Sequence, residues 1–259
     1  MENIYSALQL REIFHLEFLR WLGRKLKAQC YALKGDSNLR FFFNSIRYSE
    51  DINLDIDGIK KDVLADIVTN ILKNASFQDS FKPFGIERVV PPDMVKAKQT
   101  DTTQRFNVHL LTFAKDDLFT KIEFSRRGFR GATVVQPVGD SVLRLYKLSS
   151  LVVPHYDIYS AILQKIEALA TRTIVQARDI FDLYILMPQC GVETIKNINI
   201  SKHKIEIANK NLFAVSFGQF NDTVVVYLLP EDQAMYRNKA LWNEIVLKAA
   251  NFIEGLVKD

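Results

Sequence analysis

Cysteine is nearly missing from this chain: only Cys30 and Cys190 occur in 259 residues. Two cysteines so far apart exclude a disulfide framework and any zinc-finger spacing, and they lead us to expect a reducing, cytoplasmic setting. Long apolar runs are missing too. No stretch approaches the roughly 18 consecutive apolar residues that a membrane helix needs, so no membrane association is expected. Charges run through residues 1–30, unlike a secretory signal. Charge of one sign is not in great excess. A net +4 permits a nucleic-acid partner without demanding one. Histidine is scarce, and His15, His109, His155 and His203 show no ligand spacing, so each reads as structural. No serine or cysteine nucleophile motif, internal repeat or low-complexity tract is present. Glycine and proline are few, at 10 and 7, and apolar residues make up 48%. That is an ordinary globular composition, long enough for one large domain or two modest ones.

What is present centres on residues 31–57. Lys34-Gly35-Asp36-Ser37 is a short polar turn, followed by an apolar run from Leu39 to Phe43 with helical character. A glycine turn that frees backbone N–H groups ahead of a helix start suits phosphate. The segment then alternates strictly: Asp51, Asn53, Asp55 and Asp57 interleave with Ile52, Leu54 and Ile56. This period of two predicts a β-strand with one buried and one polar face. Oxygen ligands repeated roughly 7 Å apart on one face suit a hard cation such as magnesium.

Around this segment the pattern predicts helices over residues 6–28 and 60–74, then an irregular stretch over 75–104 broken by Pro83, Pro91 and Pro92. Two strands follow, Arg105 to Phe113 and Phe119 to Arg127, joined at Ala114 to Leu118. Further strands are expected over 132–136 and 141–147. Arg126, Arg127 and Arg130 form a basic cluster that favours a polyanion. A boundary is expected at Leu151 to Pro154, with helices beyond it over Ile158 to Thr171, Ala177 to Met187 and Glu231 to Val257. Residues 202–229 are ambiguous, because Val224 to Leu229 has strand composition. Lys165 and Arg172 lie two helical turns apart on one face, where both can reach anions, and Arg178 and Asp182 form an i, i+4 pair. The whole reads as α+β: mixed α and β elements over 1–150 and a mostly helical 151–259.

The quoted residues resemble the signature of the AbiEii/AbiGii-type nucleotidyltransferases, in the DNA polymerase β-like superfamily. Lys34-Gly35, Arg40-Phe41-Phe42-Phe43, Arg47-Tyr48-Ser49-Glu50-Asp51 and Leu54-Asp55 carry the first block. Lys121-Ile122-Glu123-Phe124-Ser125 resembles the family's third-carboxylate strand. Gln164-Lys165-Ile166-Glu167 with Arg172, then Arg178-Asp179-Ile180-Phe181-Asp182, resembles its lysine helix and its Arg-Asp-x-x-Asp helix. Two positions depart: Asp36 stands where a second glycine is usual, and Asn53 where a second metal-binding aspartate is usual. The resemblance also implies a mixed sheet with flanking helices over 1–150 and favours short helices over 202–229.

The resemblance implies transfer of a nucleoside monophosphate from a nucleoside triphosphate to a hydroxyl acceptor, with Mg2+ or Mn2+. It implies Asp51, Glu123 and Asp55 as catalytic residues and Asp51, Asn53 and Glu123 as metal ligands. Lys34, Gly35, Ser37, Lys165, Arg178 and Asp182 become the nucleotide-binding residues. The acceptor would be RNA, a protein or a small molecule, and a separately encoded antitoxin would be a partner, as for the toxin of a toxin–antitoxin pair. Asn53 and Asp36 keep open the alternative of a catalytically degenerate nucleotide- or partner-binding protein of the same fold. A metal nuclease ranks last, because such sites order the pair as acid-x-Lys, whereas this chain reads Lys121-x-Glu123.

Overall fold

The computed structural model describes residues 4–93, 99–191 and 200–256. The chain divides into two units. One comprises Met1–Phe42 and Tyr48–Tyr156, the other Phe43–Arg47 and Asp157–Asp259.

In the first unit Ser6 and Gln9 close a reciprocal capping box that starts α1 (Ala7–Gly23). Such a cap is worth about 1 kcal/mol. The helix ends at Gly23, short of the 28 expected, and a 3-10 turn at Ala28–Cys30 leads into β1 (Tyr31–Lys34). Helix α2 (Gly35–Phe42) begins at a glycine with φ of +66°, a left-handed conformation that other residues reach only with strain. A Cβ there would meet nothing closer than Asn53 at 3.8 Å, so the backbone angle rather than crowding demands glycine. Strand β2 (Asp51–Ile56), α3 (Lys61–Lys73) and α4 (Ala75–Asp79) follow.

Next come β3 (Ile86–Val90), inside the stretch read as irregular, and the hairpin β4 (Thr103–Thr112) and β5 (Asp117–Ser125). Strand β6 (Thr133–Pro137) matches its expectation. The expected strand over 141–147 is instead a helix, α5 (Asp140–Leu145). Its buried positions, Val142, Leu143 and Tyr146, recur at helical spacing, which overrides their strand propensity. The expected boundary at Leu151 to Pro154 is occupied by β7 (Val152–Tyr156). Proline argues against a strand. It is tolerated here because β7 pairs with β1 through the single register Leu33↔His155.

The sheet order is β3-β4-β5-β2-β1-β7-β6. Strand β2 runs antiparallel to β1 and parallel to β5, which makes the sheet mixed. Ile52, Leu54, Phe106, Val108, Ile122 and Phe124 join α1 and α3 side chains in the core. Beside them Phe77 and Phe81 meet edge to face with centroids 4.8 Å apart. Each fully buried side chain of this kind contributes roughly 1.5–3 kcal/mol.

The second unit holds α6 (Ile158–Thr171) and α7 (Ala177–Leu186). Helices Lys202–Leu212 and Phe217–Thr223 follow, so the strand-like Val224 to Leu229 is a 3-10 turn and its flanks. The single helix expected from Glu231 is two, Pro230–Tyr236 and Lys239–Glu254. They are broken where the Asn238 side chain caps the second by accepting from the Ala240 and Leu241 amides. The expected end at Val257 lies outside the described residues. Phe220 and Trp242 stack at 4.4 Å in this unit's core, with Phe181 against Tyr236.

Candidate active site

Strand alternation puts Asp51, Asn53 and Asp55 on the sheet face opposite the core. The parallel register with β5 sets Lys121 beside Asp51, Glu123 beside Asn53 and Ser125 beside Asp55. Arg105 of β4 faces Glu123, and Lys34 of β1 faces Asn53. Asp51 and Glu123 are thus diagonal neighbours on adjacent strands, a relation that spans roughly 7–8 Å.

Every carboxylate of this face carries a cationic partner. Lys121 Nζ lies 2.7 Å from Asp51 Oδ2, and Arg105 Nε donates to Glu123 Oε2 at 2.5 Å. Asp55 is ion-paired with Lys34 and accepts the Tyr156 hydroxyl at 2.6 Å. Burial, then this hydrogen bond, raises the Tyr156 phenol above its usual range, so it stays a donor. Asp51 and Glu123 remain about a quarter exposed, whereas Asp55 is 3% exposed. Asp55 is therefore neither a solvent-facing strand end nor an open ligand: it anchors Lys34 and Tyr156. Among the described residues no three histidine, cysteine, aspartate or glutamate side chains gather as a ready-made metal site.

The turn ahead of α2 is also engaged. Lys34 is taken up by Asp55. The Ser37 hydroxyl donates to the Asp51 carbonyl at 3.2 Å, and Ser49 donates to the same carbonyl at 2.6 Å. Gly35 stands where the chain turns into α2, beside Asn53. Asn38 pins this helix to β7 by donating to the Tyr156 carbonyl at 3.1 Å, and its Oδ1 lies 2.9 Å from His155 Nδ1. His155 in turn stacks on Phe42 at 3.5 Å. His15 and His155 are buried and hydrogen-bonded, while His109 pairs with Asp117 on the exposed hairpin. Arg126, expected to face a polyanion, donates instead to Gln104 and to the Ile59 carbonyl.

In the second unit the other predicted residues form a buried charge network. Asp182, with no exposed surface, receives Arg47 in a forked contact at 2.9 Å to both oxygens. It also lies 2.5 Å from Lys165 Nζ. Lys165 reaches Asp179 at 3.4 Å, and Arg172 reaches it at 2.6 Å. Lys165 and Arg172 thus do converge on one anion, a carboxylate of the chain itself. Arg178 sits half-buried in the first turn of α7. Arg47 was visible only as part of a motif. Nothing in the spacing pointed to its partner 135 residues away.

Comparison with known proteins adds to this geometry. The family model described as "Nucleotidyl transferase AbiEii toxin, Type IV TA system" matches residues 17–223. No curated protein matches the sequence. In fold, the chain is similar to JHP933 from Helicobacter pylori, with a TM-score of 0.59 at 18% identity, over 97% of this chain and 92% of that one. It is also similar to MenT4, a nucleotidyltransferase toxin from Mycobacterium tuberculosis, with a TM-score of 0.60 at 14% identity, over 96% and 84%. Among the described residues no helix is long and apolar enough to cross a membrane.

Proposed function

The chain belongs to the AbiEii nucleotidyl transferase toxin family, and from that premise we propose that it transfers a nucleoside monophosphate from a triphosphate to a hydroxyl acceptor. The acceptor hydroxyl attacks the α-phosphorus, a new oxygen–phosphorus bond forms, and the bond to pyrophosphate breaks. The observation that carries this reading is the shared face of Asp51, Asn53 and Glu123 on two parallel-paired strands, where the outward side chains stay partly exposed.

All three offer hard oxygen donors. Magnesium commonly binds one or two carboxylates and completes its shell with water and substrate phosphates, so this donor set fits it. Asp51, Asn53 and Glu123 would hold such an ion. Bound there, magnesium or manganese supplies charge neutralisation at the phosphates and alignment of the reacting oxygens. Lys121 and Arg105 orient the Asp51 and Glu123 carboxylates. Glu123 is the proton acceptor for the attacking hydroxyl. Asp55, clamped by Lys34 and Tyr156, fixes the floor of the site rather than reacting. Gly35 with the start of α2 is the phosphate-binding group of this face in this reading. RNA or protein supplies the acceptor hydroxyl, and a separately encoded antitoxin is the partner.

One observation favours a second reading, a nucleotide- or partner-binding protein without turnover. Each carboxylate on the face is already neutralised, and Asn53 contributes no charge. Incubation with α-labelled triphosphates and bulk cellular RNA or protein separates the two. Transfer by wild type that is lost in Asp51→Asn supports the enzyme. Equal silence of both, with triphosphate binding retained, supports the binding protein.

A further inference from the structure

We propose that His15 and Thr120 are positioning residues for Asp51. The inference rests on the transfer reading, because it assigns them a role only through that carboxylate.

Helix α1 buries Phe14, Leu16, Phe18 and Leu19 fully alongside His15, and its two buried carboxylates, Glu12 and Glu17, are each ion-paired, with Arg40 and Arg20. A buried imidazole in such company costs stability unless its nitrogen is satisfied. His15 Nε2 lies 2.9 Å from Thr120 Oγ1. The Thr120 hydroxyl has one proton, and donates it at 2.6 Å to the carbonyl of Glu50, the residue before Asp51. Its oxygen therefore accepts from His15 Nε2–H, which fixes a neutral imidazole in one tautomer. Burial, reinforced by the nearby Arg11 cation and only partly offset by a hydrogen bond to the Glu50 carbonyl, pushes His15 down to about 3, so the imidazole is neutral at any ordinary pH.

The same helix face reaches β5 a second time. Arg11, one turn before His15, donates to the Phe119 carbonyl at 2.7 Å and lies 3.9 Å from Glu50 Oε1. Residues 119 and 120 are thus both held from α1. The next residue, Lys121, is the one that holds the Asp51 carboxylate. Asp51 is consequently fixed at three points: the carbonyl before it through Thr120, its own carbonyl through Ser49 and Ser37, and its carboxylate through Lys121. The first and third share β5 residues 120 and 121. A shift of Thr120 moves the main chain of Asp51 and its ammonium partner together.

The test compares Thr120→Val, which keeps the shape and loses the hydroxyl, with Thr120→Ser, which keeps the hydroxyl. Val68→Ala, a core truncation in α3 outside this network, controls for general loss of stability. Displacement of a reacting group by about an ångström costs roughly 100-fold. The expected result is a kcat lowered by roughly 10- to 100-fold in Thr120→Val. KM for the triphosphate stays within about twofold, Thr120→Ser recovers most of the rate, and Val68→Ala does not reproduce the loss. Amide hydrogen exchange should quicken over residues 49–53 in Thr120→Val and not in Val68→Ala. Wild-type rates in Thr120→Val, beside an inactive Asp51→Asn, overturn the proposal while leaving the transfer reading intact. A wild type as silent as Asp51→Asn counts against transfer itself. The exchange result then decides alone: unchanged protection over 49–53 overturns the brace, and selective loss supports it.

Discussion

Asn53 is the cross-strand neighbour of Glu123 in the parallel β2–β5 pair. An amide, not a second acid, thus faces that carboxylate. Like charges directly opposite each other destabilise a sheet, so the amide relieves a repulsion that a cation would otherwise have to offset.

Asn53→Asp restores that repulsion and adds a charged ligand. The variant should melt below wild type in chelator and regain stability with millimolar magnesium, while wild type responds less. Calorimetry should show magnesium binding tightened by roughly tenfold, the equivalent of a charged contact worth about 1.4 kcal/mol. A melting temperature indifferent to magnesium would remove Asn53 from the metal site.

Lys121→Met frees the Asp51 carboxylate from its ammonium. Because Lys121 orients that carboxylate, magnesium affinity measured by calorimetry should fall in this variant. Tighter binding would mean that metal and ammonium compete for the same oxygens, and would end the orienting role.

Asp182→Asn leaves Arg47 and Lys165 buried with one anionic partner fewer. Breaking a buried pair of this sort costs about 3–5 kcal/mol. Urea unfolding followed by circular dichroism should show the midpoint falling accordingly. A loss below about 1 kcal/mol would mean that the two cations relax to water or to other carboxylates.

His15 gives a pH signature. Its folded-state value of about 3 lies below the ordinary 6.5, so the unfolded chain takes up a proton that the folded chain refuses. Stability from this group is complete above pH 6.5 and is lost as pH falls from there towards 3. The slope approaches 1.4 kcal/mol per pH unit, or about that. His15→Gln should flatten this part of the stability–pH curve. A curve identical to wild type would show that other groups carry the acid sensitivity.

The strand bearing Asp51, the hairpin bearing Glu123 and the helix of Lys165 were legible because each rests on local periodicity. Strand β7 was not, since Pro154 reads as a breaker and only its neighbours in the sheet make it tolerable. Helix α5 was misread because Val142 and Tyr146 favour strands when taken one by one. The partners of the site residues were hidden for a different reason. Ser37 and Ser49 donate to a main-chain carbonyl, which no side-chain pattern encodes. Asp55 looked like one more member of an exposed face, and only the positions of Lys34 and Tyr156 reveal it as an internal anchor.

Residues Phe43–Arg47 belong to the second unit although the chain on both sides of them belongs to the first. During synthesis these five residues leave the ribosome more than a hundred residues ahead of α7, which carries Asp182. Until then Arg47 has to wait in solvent or in temporary company. A fragment ending at Tyr156 would keep the guanidinium without its carboxylate, and a fragment starting at Asp157 would keep the carboxylate without its guanidinium. Neither piece is a domain that a single cut can release, and the second unit becomes complete only when the segment from Asp157 onward has been made.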